Sequence, residues 1–419
     1  MKPAPPLTIT NGRLLCTDGI SDAASPVVLL CQGDRIVGTS RQIDSGETSA
    51  AGHRVFDARG MVVMPGIVDL GVFEIDKPAF HFGGITRAAL MPDQAPPLDY
   101  PARVRFAAAF GKPDLWVHPL AAATRGLAGT QLAEMALMKE AGARAVATGR
   151  SWIADSGVML RVMQYAAMLD LPVITHAEDT GLAGDAVATA GEIATRLGLP
   201  AAPAEAEALA IARDLMLAAM SGVHLHIRQV TTRAGLDLVR KAKAGGTRVT
   251  CGVTPAHFML SDIAMADFRT FARLSPPLRS EEDRQAVREA LADGTIDVIA
   301  SGHDPRGPED KRLPFADAAP GMAGAETLLP LTLALVRDGL IGLPRVCALL
   351  CTNPATILGI AAGVLEKGYE ADVAIVDVDR PWIVDSDRMQ AQAGNTPFDR
   401  QPLQGRTAAL FKGGMQVGQ

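Results

Sequence analysis

Eight short apolar runs recur through the middle of the chain, and most are followed by a stretch with helical periodicity. The runs are Met61–Phe73, Ile85–Met91, Leu115–Leu120, Ala143–Thr148, Pro172–His176, Val223–Val230, Arg248–Val253 and Ile296–Ser301. Helical spacing marks Gln131–Ala141, Val158–Leu169, Ala204–Met220, Gly235–Ala244 and Glu281–Leu291. A strand that is apolar throughout is buried on both faces, and such strands alternating with helices build parallel sheets. Eight of them over roughly 300 residues predict an α/β fold, a closed (β/α)8 TIM barrel. A doubly wound open sheet is the rival, weakened because no Gly-x-Gly-x-x-Gly phosphate turn follows any run.

The two ends of the chain read differently. Leu7–Ile9, Arg13–Cys16, Val27–Cys31 and Arg35–Val37 are short strand-like runs, with turn signals at Asn11-Gly12 and Gly33-Asp34. Similar material returns as Ala371–Val376 and Thr407–Phe411. Neither piece is large enough to bury a core alone, so both termini are expected to share one small β-sandwich domain. The predicted division is 1–61 and 365–419 for that composite domain and 62–364 for the barrel.

Composition narrows the function classes. Hydrophobic residues make up 48% and charged residues 21%, the balance of a globular protein with a real core. The formal net charge is −6 with no basic patch, which argues against a nucleic-acid partner. The longest apolar stretch, Leu328–Val336, is far short of the ~20 residues a membrane span needs. Met1–Pro6 lacks the apolar core of a secretion signal, and the five cysteines are scattered without a Cys-x-x-Cys pair. Reduced thiols in a cytoplasmic protein are the expectation.

A barrel carries its active site at the carboxyl ends of its strands. There the sequence places Glu74 and Asp76 after strand 1, Asp93 after strand 2 and His118 at the end of strand 3. Thr148-Gly149 follow strand 4, His176-Ala177-Glu178-Asp179 strand 5, Arg228-Gln229 strand 6 and Ser301-Gly302-His303-Asp304 strand 8. This rim is polar but poor in metal ligands. A two-zinc hydrolytic centre needs several histidines and a bridging carboxylate so that two ions can share a hydroxide. Only His176, His303 and His118 are placed to contribute. Glu178 and Asp179 are read more plainly as caps of the following helix. Glu74, Asp76 and His81 form either a displaced metal site or, more simply, a solvated loop. The cysteines are most simply small core residues.

Several longer motifs carry a resemblance. They are Met64-Pro65-Gly66-Ile67-Val68-Asp69-Leu70, Gly83-Gly84-Ile85-Thr86 with Met91-Pro92, Thr175-His176-Ala177-Glu178-Asp179 and Val253-Thr254-Pro255-Ala256-His257. Ser275-Pro276-Pro277-Leu278-Arg279-Ser280-Glu281-Glu282-Asp283-Arg284, Asp293–Ala300, Thr352-Asn353-Pro354-Ala355 and Asn395-Thr396-Pro397-Phe398 complete the set. With these the chain resembles the dihydroorotases of the cyclic amidohydrolase superfamily, from its first strands to its end. The resemblance implies an amidohydrolase-type barrel and a place in pyrimidine biosynthesis.

The departures are as systematic as the matches. The family's His-x-His pair falls on Gly71 and Phe73, and its substrate-gripping Arg on Ile75. Its bridging carboxylate falls at Thr148 or Gly149, and its strand-6 histidine at Gln229. Its Asp-His-Ala-Pro-His reads Gly302-His303-Asp304-Pro305-Arg306, so the ligand and general base becomes Gly302. Substrate asparagines appear as Asp93 and Ser275, and His176 alone keeps a ligand position. The resemblance then implies a degenerate dihydroorotase, a pseudoenzyme with no catalytic residue and no metal expected. Its vestigial pocket would comprise Gly71, Phe73, Thr148, Gln229, Gly302, His303 and Asp304.

Three functions follow. The first is a non-catalytic partner of aspartate transcarbamoylase, held in a homo- or hetero-oligomer as some ligand-deficient family members are. The second is an active cyclic amidohydrolase with a rebuilt zinc site on His176, His303, Asp304 and one of Glu74 or Asp76, or an acid–base pair of His303 and Asp304. The third is a sensor that keeps a pocket for a pyrimidine-like ligand. Loss of the arginine at Ile75 counts against that last reading, with Arg228 and Arg306 as candidate substitutes.

Overall fold

A computed structural model describes residues 5–16, 18–21, 27–40 and 54–418. The predicted strand region 7–61 lies outside the described residues at 17, 22–26 and 41–53. All eight predicted barrel strands are present, in chain order: Ile67–Val72, Ile85–Leu90, Trp116–Ala122, Ala145–Ala147, Val173–Thr175, Leu225–Ile227, Val249–Val253 and Val298–Ile299. They pair in that same order, each parallel to the next. The first and last strands are joined by specific bonds. Ser301 N–H donates to Asp69 Oδ1 at 2.9 Å, the Ser301 hydroxyl donates to the other Asp69 oxygen, and Phe73 N–H donates to the His303 carbonyl at 2.9 Å.

Strand pleating sends alternate side chains inward. Val68, Leu70, Ala89, Leu120, Ala145, Ala147, Ile174, Val298 and Ala300 pack together as the barrel interior, with Ala355, Ile357 and Leu358 joining them and Phe73 at the strand-end side. The opposite set, including Ile67, Val72, Val146, Val173 and Ile227, packs against the surrounding helices. Those helices begin where local chemistry allows. Asp155 caps Ser156–Met168 by accepting from Val158 N–H at 2.8 Å, and that helix buries Val158, Met159, Val162, Met163 and Ala166. Glu205–Ser221, Arg233–Ala244 and Glu281–Asp293 match their predicted spans closely, whereas the predicted Gln131–Ala141 helix begins only at Met135.

Both termini meet in one nine-stranded mixed sheet. Its hydrogen-bonded path runs Met415–Val417, Pro402–Lys412, Val373–Ile383, Val62–Pro65, Leu7–Cys16, Val27–Gln32 and Arg35–Ser40. The path curls so that Ile9, Leu29 and Ile36 pack with Val63, Ile375 and Phe411. Val62–Pro65, placed with the barrel on sequence, pairs instead with Leu7–Cys16 and Val373–Ile383. A buried ion cluster ties this sheet to the barrel: Arg87 bonds Glu370 at 2.5 Å and Asp372 at 2.9 Å, and Lys412 bonds both carboxylates. Among the described residues no helix is long and apolar enough to cross a membrane.

Candidate functional site

The carboxyl ends of the strands converge on Arg228, the residue just after the sixth strand. Its side chain is 5% exposed. Nη2 donates to Nδ1 of His176 at 3.2 Å, and the guanidinium stands 5.2 Å from the Phe73 ring centre. A second guanidinium, Arg150, stacks on the same ring at 3.7 Å. Burial and the charge of Arg150 pull Arg228 down to about 10, opposed by Asp93, Asp304 and Glu178, so it stays a cation at neutral pH.

The carboxylates around it are spent on these cations and on backbone. Asp304 Oδ2 accepts from Arg150 at 2.7 Å, and Arg306 lies within 3.1 Å of both Asp304 oxygens. Asp93 Oδ1 accepts from Arg150 N–H at 2.8 Å. His176 receives a bond from Arg228 on Nδ1, so its own proton sits on Nε2, which faces Glu178 at 3.6 Å. Burial raises the Glu178 carboxyl, but His176 and Arg279 outweigh that and hold it below its usual range. Arg279 reaches on to Glu207, which accepts from both backbone N–H groups and both hydroxyls of Thr231 and Thr232.

What remains open at the centre is a cavity of about 30 Å³ lined by Phe73, Arg228, Gln229, His257, Gly302 and Asp304, among others. That admits a water or two, since one water needs ~10–15 Å³. His257 is committed as well: the Thr254 hydroxyl faces its Nδ1 at 2.8 Å, and Nε2 donates to the Pro276 carbonyl at 3.1 Å. Burial pushes its imidazole down to about 4.

Several residues lie elsewhere than their sequence positions suggested. His118 is not at a strand end. Its strand continues through Pro119-Leu120-Ala121 to Ala122, and the His118 ring lies among Arg87, Arg144, Lys412 and Lys112, where burial drives it down to about 3. His303 is fully buried but does not pair with Asp304: its Nδ1 accepts from Ala325 N–H at 3.3 Å, and Nε2 faces Asp76 at 3.6 Å. Asp76 is no solvated loop residue. It is buried, caps the helix Lys77–Gly83 and accepts from Gln392 N–H at 2.6 Å. His81 lies against the Asp114 carbonyl. Asp179 does cap a short helix, Thr180–Ala183, whereas Glu178 belongs to the ionic network. The proposed rebuilt set of His176, His303, Asp304 and Glu74 or Asp76 therefore does not converge. Ser275 is exposed at the rim, and Thr148 receives the His176 backbone N–H on its hydroxyl at 3.1 Å. Sequence reasoning missed Arg150, although it directly follows the Thr148-Gly149 strand end.

The family model described as dihydro-orotase-like matches residues 60–235. A dihydroorotase of Syntrophotalea carbinolica is 37% identical over 97% of this chain and 98% of its own length. One from Pelotomaculum thermopropionicum is 41% identical over 88% of this chain and 90% of its own. Among solved structures, the L-hydantoinase (dihydropyrimidinase) from Arthrobacter aurescens superposes with a TM-score of 0.87 at 25% identity, covering 99% of this chain and 96% of that one. This chain belongs to the dihydroorotase family.

Dihydroorotases and their amidohydrolase kin are metal enzymes, so the family's ligand positions can be tested for fit. Of the positions the resemblance gives as ligands, Gly71 at φ 106° and Gly302 at 59° are glycines in the left-handed region, as is Gly149 at 80°, which shares the bridging position with Thr148. A Cβ on Gly149 would lie 2.7 Å from Asp93 Oδ1, and one on Gly302 2.9 Å from Thr254 Cγ2. Arg228 Nε, Gln229 Oε1 and Asp93 Oδ2 are the orphaned buried polar atoms around Arg228; His303 Nε2 is also orphaned but is turned toward Asp76, 3.6 Å away. A cationic N–H, an amide oxygen and one carboxylate oxygen are not a donor set for zinc. Among the described residues no three His, Cys, Asp or Glu side chains come together as a metal site. The residues present do not fit the family's metals.

Proposed function

We propose that this member of the dihydroorotase family is a non-catalytic subunit of cytoplasmic pyrimidine biosynthesis and acts as a structural partner of aspartate transcarbamoylase. The observation that supports it most is the Arg228 guanidinium among the family's ligand positions, bonded to the one ligand histidine that remains. Opening or closing a cyclic amide at neutral pH requires an activated water and a base to take its proton. Here the base position is Gly302, and the nearest carboxylate, Asp304, is held by two arginines. A chain that loses this chemistry while keeping an intact barrel retains value as a folded surface.

The test is co-expression with the aspartate transcarbamoylase of the same organism, followed by size-exclusion chromatography at micromolar concentration. A co-eluting complex, with transcarbamoylase activity that falls when this chain is omitted, is expected. Separate elution with full transcarbamoylase activity would remove the partner reading. Steady turnover of dihydroorotate, abolished by His176→Ala, would remove the non-catalytic one.

A further inference from the structure

Away from the barrel mouth, a groove of about 480 Å³ runs between the helix Lys77–Gly83 and the C-terminal strands Val373–Ile383, Pro402–Lys412 and Met415–Val417. None of the family's ligand or substrate positions lines it. Its cations are Arg380 and Arg406, and among the described residues no carboxylate lines it, in a chain whose net charge is −6. Arg406 is the fixed member. Its guanidinium stacks 4.3 Å from the Phe82 ring centre, and Phe82 meets Trp382 edge-on at 5.5 Å. The Trp382 indole N–H donates to the Gly405 carbonyl at 3.2 Å, which anchors the stack to the strand that carries Arg406.

Charge is left over here. Among the described residues neither arginine has an ion-pair partner, and burial and the nearby charge of Arg380 hold Arg406 below the ordinary arginine value. The carboxylate acting on Arg406 is Glu326, which burial raises to about 7, so it is only a partial counter-charge at neutral pH. Two neighbouring guanidiniums without a carboxylate between them attract an anion, and their planar forks match the oxygens of a phosphate. A phosphate monoester carries about −1.5 to −2 charges at neutral pH, enough to answer both arginines, whereas a carboxylate answers one. The groove has the volume of a small-molecule site, roughly 300–1,000 Å³, so it holds more than the anion. Gln390 and Gln416 in its wall offer amide donors and acceptors to hydroxyl groups, and Pro78 and Phe82 supply an apolar edge.

We propose that this groove binds a small phosphorylated molecule with a hydroxylated skeleton, its phosphate held by Arg380 and Arg406 and its hydroxyls facing Gln390 and Gln416. The site does not rest on the partner reading, because it is measured on the isolated chain.

The experiment is isothermal titration of the full chain with glucose 6-phosphate, and with glucose and inorganic phosphate in parallel. Saturable binding of glucose 6-phosphate, tighter than inorganic phosphate, is expected, with none for glucose. Arg406→Ala should weaken it roughly 10- to 100-fold, the effect of removing charge-assisted hydrogen bonds. Arg380→Ala, a change at an exposed side chain that leaves the fold intact, should weaken it as well. Arg161→Ala, on the exposed face of the helix Ser156–Met168, removes the same charge elsewhere and should not. No saturable binding of glucose 6-phosphate, inorganic phosphate binding as tight or tighter, wild-type affinity in both groove variants, or an equal loss in Arg161→Ala would each overturn the proposal.

Discussion

Arg228 Nη2 donates to His176 Nδ1 across 3.2 Å, so that imidazole nitrogen spends its lone pair on a guanidinium. A nitrogen that accepts from an arginine cannot at the same time donate electrons to a metal. A permanent cation in the same place also repels one.

Metal content should follow from that geometry. Protein expressed with supplemented zinc and exhaustively buffer-exchanged should hold well under one zinc per chain by plasma mass spectrometry. Excess chelator should leave the thermal midpoint unmoved. A stoichiometric ion that is lost in His176→Ala would contradict the arrangement described for Arg228.

Restoring the family's ligands one by one should not restore the centre. Gly71→His and Gly302→Asp each force a side chain onto a left-handed backbone, at φ 106° and 59°, and the second also meets Thr254 at 2.9 Å. Each substitution should cost about 1–3 kcal/mol in urea denaturation. Zinc content should stay near zero while Arg228 is present. A restored variant with wild-type stability and bound zinc would show that the backbone is not the obstacle.

Barrel closure rests on Asp69, which accepts both the backbone N–H and the hydroxyl of Ser301. Asp69→Ala leaves a buried N–H unpaired and should destabilise the fold by roughly 2–4 kcal/mol. Asp69→Asn keeps an acceptor for that N–H and should cost less. A loss below about 0.5 kcal/mol for the alanine variant, the range of an ordinary surface change, would mean the first and last strands are held by packing and the Phe73–His303 backbone bond without Asp69.

Glu326 supplies a pH dependence of definite sign. Its buried carboxyl accepts from Ala391 N–H at 2.9 Å, and burial raises it to about 7 from 4.5. Between those values the folded state holds a proton that the unfolded state has released. This group's contribution to stability is therefore greatest below the unfolded value and falls as pH rises toward 7. Glu326→Gln removes the titration, so its stability relative to the parent should improve by roughly 2–3 kcal/mol between pH 5 and pH 8. Urea midpoints of the two proteins at both values give the answer. A difference that stays flat, or has the opposite sign, would rule out a raised Glu326.

The alternation of apolar runs and helical stretches was enough to read all eight barrel strands and the shared terminal sheet, because burial periodicity is a local property of the chain. Gly71, Phe73 and Gly302 carry no side-chain atom that can donate to a metal, and the expectation of a centre without the family's metals rested on those residue types alone. His118 shows where local reading failed. An apolar run does not reveal where its strand ends, and four more residues carry that strand past the histidine to Ala122.

Residue types alone thus determined the barrel. Tertiary structure alone decided what fills the emptied centre. Arg228 and Arg150 lie 78 residues apart, the difference of their positions, yet both guanidiniums meet on the Phe73 ring. Which way each side chain points depends on strand pleat, register and the three glycines whose backbone turns left-handed at the mouth. Those are set by pairing between distant strands, and no local stretch of sequence encodes them.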